Sequence, residues 1–181
     1  MSTKADPEAA RAALAEAGYP NGEGFPKITV AMTGAYSTWV EAIQEMWSET
    51  LGIEIEIQTV EGKVLSTMRK SGEFDIACGG WSANIFHPSY YINQLESTST
   101  TNYPNYSNPE FDALVAQART EPDPKKVLDL LHQAEEIAIG QDFALLPIFY
   151  ETSRIMIKNN VTGWYSDPIG RFWFKYADIE N

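Results

Sequence analysis

Hydrophobic positions in the first half of the chain follow either strand or helix spacing. Residues 27–32 and 53–57 carry an apolar side chain at every second position, which predicts strands with one buried face. Between them, apolar residues spaced by three and four from Trp39 to Leu51 predict an amphipathic helix that Gly52 ends. The same reasoning predicts helices over residues 6–17 and 62–70 and a short apolar strand over residues 74–78.

The second half begins with a polar stretch, residues 96–106, that lacks periodicity and is predicted to be a surface loop. Residues 107–110 carry the capping pattern of a helix N-terminus, and a longer amphipathic helix is predicted from Asp123 to Ala138. Strands are predicted at residues 144–150, 154–158 and 172–176. Because strands and helices mix and no linker divides the chain, we predict one α/β domain with a mixed sheet over residues 1–181.

The net charge and the length of the apolar runs argue against binding to nucleic acid or anionic lipid and against a membrane span. The 181 residues include 25 acidic and 13 basic side chains, a net charge of −12 that disfavours binding to nucleic acid or anionic lipid. The longest apolar run, residues 143–150, is far shorter than the roughly 18 residues of a membrane span. No signal peptide opens the chain, and we therefore expect a fragment of a larger protein.

Side chains with reactive or metal-binding chemistry are few. His87 and His132 are the only histidines, and we expect neither to bind a metal. Cys78 is the only cysteine and ends an apolar strand, where a buried, inert thiol is usual. The sequence carries no phosphate-binding loop. We therefore predict no catalytic residue, no metal site and no cofactor.

The segment over residues 79–88 is the candidate for function. Two glycines, Gly79 and Gly80, follow the apolar strand and allow another backbone to come close. Trp81 and a short polar run come next. From the residues alone, two interpretations stay open: a tight strand exit with Trp81 in the core, or a ligand-binding segment.

Several stretches, in the same order, resemble the extracellular solute-binding proteins of the dipeptide/oligopeptide class, family 5. These stretches cover nearly the whole chain, and they are residues 6–8, 14–22, 42–47, 51–53, 72–77, 80–81, 106–112 and 146–150. The resemblance implies a mixed-sheet α/β lobe of the type II periplasmic-binding-protein-like fold. It also implies that residues 1–181 are the C-terminal ligand-binding lobe, with the other lobe absent from this chain.

The same resemblance implies which residues bind the ligand. In peptide-binding members an extended peptide pairs with the backbone that corresponds to residues 79–83, so that main-chain hydrogen bonds provide affinity. We therefore predict a ligand-binding segment whose members are Gly79, Gly80, Trp81, Ser82, Ala83, Asn84, Phe86 and His87. We also expect the isolated lobe to bind ligand poorly, since half of the cleft would be missing.

One position departs from the family pattern. Peptide-binding members place an aspartate shortly after the tryptophan, where it holds the free α-amino group of the ligand, but here Asn84 stands at that position. A neutral amide forms a weaker hydrogen bond to an ammonium group than a carboxylate does. Either another acid holds the amine or the ligand has no free amine, and Trp81 with Phe86 could then serve as stacking surfaces.

The resemblance thus predicts a non-enzymatic, monomeric protein in the periplasm or anchored outside the membrane. Its function would be to deliver peptides to the permease of an ABC importer. The same fold binding an oligosaccharide or a metal complex is one alternative. A lobe with an enzymatic or protein-interaction role is another.

Overall fold

The structure, a computed structural model, describes residues 4–180 and shows two compact units. The first unit holds residues 4–80 together with Tyr103–Asn105, and the second holds Trp81–Asn102 together with residues 106–180. The single domain over residues 1–181 stays a prediction, because compact units of this size also occur within one domain.

The first unit contains a parallel sheet of three strands with β1 at its centre, in the order β2-β1-β3. Its elements are, in chain order, α1 (Pro7–Glu16), β1 (Ile28–Met32), α2 (Ser37–Leu51), β2 (Ile55–Thr59), α3 (Gly62–Ser71) and β3 (Ile76–Ala77). The pairing sets Ile28 opposite Ile55 and Val30 opposite Ile76. The six elements predicted for this part of the chain are confirmed, with small shifts at their ends.

Burial of the apolar sheet face holds this unit together. Its core consists of Val30, Met32, Val40, Ile55 and Cys78. The carboxylate of Asp75 accepts a hydrogen bond at 2.9 Å from the backbone N–H of Thr29, on the neighbouring strand β1. This contact fixes the approach of the chain to β3 and therefore the point at which Gly79 leaves the sheet.

The second unit is built around two helices. Its helices are α4 (Ser89–Ile92), α5 (Pro109–Thr120) and α6 (Pro124–Glu135), which continues into a π-helical turn, Glu136–Gln141. The Asn108 side chain caps α5 and the Asp123 side chain caps α6. The predicted α5 and α6 are confirmed, whereas α4 was not predicted because four residues are too few for a helical pattern.

The apolar stripes of α5 and α6 face each other in a separate core. Phe111, Ala134 and Ala138 are fully buried there, and the other buried members are Ile92, Leu95, Val115, Ala118 and Leu131. The predicted loop over residues 96–106 is confirmed, as it consists of turns. Asn102 orders this loop, since its Nδ2 donates to the carbonyls of Glu96 and Tyr106.

The C-terminal part of the second unit differs from the prediction. Two antiparallel pairs join β4 (Val161–Thr162) to β7 (Asp178–Ile179) and β5 (Tyr165–Ser166) to β6 (Phe172–Trp173). The strand predicted at residues 172–176 is thus reduced to β6.

The strands predicted at residues 144–150 and 154–158 are wrong for this chain, where no strand is assigned to either segment. A strand needs another strand beside it, and among the described residues no strand pairs with either segment. Strands occur together with helices, so the α/β class is confirmed, with the parallel and antiparallel pairs of residues 4–180 in separate sheets.

Candidate ligand-binding site

Gly79 and Gly80 leave the first unit's sheet directly after β3. The backbone N–H of Cys78 still bonds to the Ala31 carbonyl at 2.9 Å, so the segment starts from a fixed strand end. A Cβ atom at Gly79 would lie 2.8 Å from Arg69 Nη1, whereas one at Gly80 would meet only the Tyr36 hydroxyl, at 3.8 Å. Gly79 therefore leaves room for the Arg69 side chain, and Gly80 leaves its backbone open to approach.

Arg69 and Tyr103 form a cation–π pair in this unit. The guanidinium carbon lies 4.3 Å from the centre of the Tyr103 ring. Arg69 comes from the last turn of α3 and Tyr103 from the loop that precedes α5. The sequence analysis missed both residues because they are 34 positions apart and share no local pattern.

In the second unit, Trp81 and Asn84 are linked through Tyr90. The rings of Trp81 and Tyr90 lie 6.1 Å apart between their centroids. The Nδ2 group of Asn84 donates a hydrogen bond to the Tyr90 hydroxyl at 2.7 Å. Trp81 is exposed and Tyr90 half-buried, so the interpretation of Trp81 as a core residue is wrong.

Asn84 also contacts Arg171, which lies 87 positions further along the chain. Arg171 Nη2 donates to the backbone oxygen of Asn84 and to its Oδ1, at 3.0 Å in each case. Both polar atoms of the Asn84 side chain are therefore engaged, Oδ1 by Arg171 and Nδ2 by Tyr90. The sequence carries no local signal for the Asn84–Arg171 contact.

A carboxylate, Asp167, shapes the turn that carries Arg171. Its Oδ1 accepts from the backbone N–H groups of Ile169 and Arg171, and its Oδ2 accepts from Trp173 Nε1. These hydrogen bonds, that of the Arg171 backbone above all, hold the pKa of Asp167 below its ordinary value. The ionised form of Asp167 is thus favoured, and its hydrogen bonds tie this turn to Trp173.

The remaining members of the predicted segment are arranged locally. Ser82 and Phe86 are exposed, Phe86 by 76%, and Ala83 is half-buried. His87 Nδ1 lies 2.8 Å from Ser89 Oγ and accepts from the Ser89 backbone N–H at 3.3 Å, which places it at the start of α4. The Nδ1 atom of His87 therefore forms its hydrogen bonds within the same turn of the chain.

The structure also places Cys78 and His132, for which the sequence predicts no catalytic or metal-binding role. Cys78 is buried, as expected, and burial raises the pKa of its thiol, which disfavours the nucleophilic thiolate. His132 is exposed on α6, with Nδ1 at 3.6 Å from Glu135 Oε2. Within residues 4–180, no helix combines the length and the apolar character that a membrane crossing requires.

Comparison with known proteins assigns a family to this arrangement. Residues 1–103, more than half of the chain, match the family described as "Bacterial extracellular solute-binding proteins, family 5 Middle". The chain is 27% identical over 170 residues to the periplasmic oligopeptide-binding protein OppA of Salmonella typhimurium, and the match covers 93% of this chain and 31% of that protein.

Two further relatives extend the comparison. The probable deoxycholate-binding periplasmic protein YgiS of Escherichia coli is 31% identical over 123 residues, covering 68% of this chain and 23% of that protein. Among solved structures, Haemophilus influenzae OppA in complex with RPPGFSPFR superposes with a TM-score of 0.83 at 27% identity, covering 96% of this chain and 34% of that chain. The chain thus spans about a third of the length of the first curated relatives it matches, and the α/β fold that the resemblance implied is confirmed.

Proposed function

We propose, since this chain belongs to the bacterial extracellular solute-binding proteins of family 5, that it forms the C-terminal ligand-binding lobe of a protein that delivers peptides to an ABC importer. The observation that carries the proposal is the likeness to the Haemophilus influenzae complex with RPPGFSPFR, which extends over 96% of this chain. Family members are binding proteins, and in this chain we assign no catalytic role to any residue.

Backbone pairing is the proposed mode of binding. The chain leaves β3 from a fixed strand end, and Gly80 leaves its backbone open to another chain. An extended peptide that pairs with the backbone of residues 79–83 would gain main-chain hydrogen bonds that do not depend on its side chains. The exposed Trp81 and Phe86 offer apolar surface to the ligand. His87, Ser82, Ala83 and Asn84 complete the proposed segment.

Exposed apolar side chains support the proposal that a second lobe covers part of the second unit. The extended segment over residues 145–156 exposes large side chains, namely Leu145, Leu146, Ile148, Phe149, Tyr150, Ile155 and Met156. So many large apolar side chains exposed within one short segment are typical of an interface. We infer that strands of the other lobe pair with this segment in the complete protein, which would then close on its ligand like a hinged clamp.

Location and partners follow from the same family. We propose a periplasmic or membrane-anchored extracellular protein, monomeric, whose ligand-loaded form binds an ABC permease. The Salmonella and Escherichia coli relatives named above are both described as periplasmic. The negative charge of the chain disfavours nucleic acid as a partner.

An organic acid without an amine is a second candidate ligand. Asn84 stands where the resemblance expects the aspartate that holds an α-amino group, and its Oδ1 accepts a hydrogen bond from the Arg171 cation. One relative is named for deoxycholate, a carboxylic acid that has no amine. Oligosaccharides, metal complexes and an enzymatic role find no comparable support.

Thermal unfolding of the complete protein tests the proposal. A ligand at a hundred times its dissociation constant adds roughly 2.7 kcal/mol to the free energy of unfolding, so a pool of peptides should raise the melting temperature measurably. Replacing Gly80 with valine should remove that increase, because the new side chain obstructs the approaching backbone. The matched control is Gly62→Val, outside the segment, where an added Cβ atom would meet nothing within 4 Å. Stabilisation by oligosaccharides and not by peptides would refute peptide delivery.

A further inference from the structure

Arg171 forms no salt bridge within residues 4–180, although the nearby Asp167 carboxylate interacts with its charge. Acidic side chains outnumber basic ones by 25 to 13, yet no carboxylate in residues 4–180 lies within 4.0 Å of its guanidinium. Arg119, by contrast, is paired with Glu96 at 2.8 Å in the same unit. Arg171 instead donates to a neutral residue, Asn84.

Contacts with Asn84 use only part of the hydrogen-bonding capacity of Arg171. A guanidinium carries N–H groups on Nε, Nη1 and Nη2, and both contacts with Asn84 come from Nη2. In the part of the chain that the structure describes, Nε and Nη1 make no side-chain hydrogen bond. Since Arg171 is exposed, these donors are available to a ligand.

The neighbours of Arg171 hold it in place before any ligand binds. Tyr90 accepts from Asn84 Nδ2 and thereby fixes the amide with Oδ1 towards Arg171. Asp167 fixes the backbone at Arg171. A donor group that is already ordered loses less conformational entropy on binding, which favours affinity.

An aromatic surface is coupled to the same cluster. Trp81 contacts Tyr90 with a ring centroid distance of 6.1 Å, and Tyr90 bonds to Asn84. Trp81, Tyr90, Asn84 and Arg171 therefore form one connected set in the second unit. It combines a cation with a partly exposed indole ring.

We propose that Arg171, positioned by Asn84, binds a carboxylate of the ligand, while Trp81 contacts the apolar part next to that carboxylate. The inference rests on the proposed binding function and deepens it by naming the charge that the ligand presents here. An ammonium group is disfavoured at this position because it would face the guanidinium charge. The same carboxylate could come from a peptide or from an organic acid such as deoxycholate.

Calorimetry on the complete protein compares each ligand with its neutral amide. The probes are a peptide acid, its C-terminal amide, its N-acetylated acid, and deoxycholate with its amide. For whichever of the two ligands binds, converting its carboxylate to an amide should weaken binding by about tenfold or more, since a charge-assisted hydrogen bond is lost. N-acetylation should change the affinity of the peptide by less than about twofold.

Three variants assign the effect to Arg171. Arg171→Ala should abolish the difference between acid and amide, whereas Lys126→Ala, which removes an exposed cation on α6, should preserve it. Asn84→Asp should also abolish it, because the new carboxylate would pair with Arg171. Melting temperatures of the ligand-free variants show whether each is folded, and Asn84→Asp tests the inference even if Arg171→Ala is unstable.

The outcomes separate this inference from the peptide function. Peptide binding with equal acid and amide affinities in the wild type, or with an unchanged difference in Arg171→Ala, would overturn the inference and leave the peptide function standing. Binding of deoxycholate alone, sensitive to Arg171→Ala, would refute the peptide function and support the inference. Binding of neither ligand would refute both.

Discussion

The Tyr106 hydroxyl donates a hydrogen bond to Asp142 Oδ2 at 2.7 Å, which joins the loop before α5 to the residue that follows the π-helical turn. Asn108 Nδ2 donates to the same oxygen, also at 2.7 Å. The Tyr106 ring meanwhile packs edge-on against Phe111, with the centroids 5.3 Å apart. The N-terminal end of α5 is thus fastened to the chain that leaves α6.

Acid should weaken this connection. The hydrogen bonds from Tyr106 and Asn108 hold the pKa of Asp142 below its ordinary value of 3.8. Because the folded pKa is the lower one, the stabilisation is fully present above pH ~4 and is lost as the pH falls through the lowered pKa. Melting temperatures between pH ~2 and 7 should therefore fall less steeply in Tyr106→Phe than in the wild type. Tyr19→Phe, a half-buried ring with an edge-on partner of its own, is the control and should follow the wild type.

Two leucines of α6 offer a matched test of the second unit's core. Leu131 is 2% exposed and Leu128 is 49% exposed. Leu131→Ala should lower the free energy of unfolding by about 2–5 kcal/mol, since it removes buried apolar contacts and leaves a cavity. Leu128→Ala should change it by about 0.5 kcal/mol or less. Urea unfolding measures both, and equal losses would contradict the described orientation of α6.

The close approach of Gly22 to Gly52 makes a prediction for the first unit. Both Gly22 and Gly24 have a positive φ, 81° and 73°, but a Cβ atom at Gly22 would lie 2.4 Å from the Gly52 carbonyl oxygen, whereas one at Gly24 would meet nothing within 4 Å. Gly24→Ala should cost about 1–2 kcal/mol for its left-handed backbone. Gly22→Ala should cost clearly more, because backbone atoms must also move. Similar urea midpoints for the two variants would show that this contact is easily displaced.

Lysine substitutions test whether a second lobe covers residues 145–156. Ile148 and Leu128 are almost equally exposed in this chain, at 50% and 49%. If strands of the other lobe cover Ile148, then Ile148→Lys should destabilise the complete protein by several kcal/mol, since an unpaired ammonium is buried. Leu128→Lys should have little effect. Equal melting temperatures for the two variants would argue against a covering lobe at this segment.

Much of the fold could be predicted because its signals are local. Alternation at residues 28, 30 and 32 follows from the pleat of a strand, and the Asn108 and Asp123 caps act within three residues of their own positions. The proposed ligand-binding segment follows from the resemblance to the family, because from the residues alone Gly79, Gly80 and Trp81 left two interpretations open. The roles of the segment's eight members in ligand binding stay a prediction that the experiments above address.

Other features depend on partners that no local pattern identifies. The apolar runs at residues 144–150 and 154–158 are compatible with strands, but a strand forms only beside another strand, and within residues 4–180 these segments pair with none. The pairing of Arg69 with Tyr103 and of Arg171 with Asn84 likewise joins distant positions.

The sequence by itself determined the helices, the parallel strands of the first unit and the family, because spacing, caps and motif order are properties of adjacent residues. Only the tertiary structure decided that Gly79 accommodates Arg69 and that Asn84 faces a cation. Such contacts arise when folding brings together side chains that lie up to 87 positions apart, as in the Asn84–Arg171 pair. Electrostatic character at a binding site is therefore a property of the folded chain.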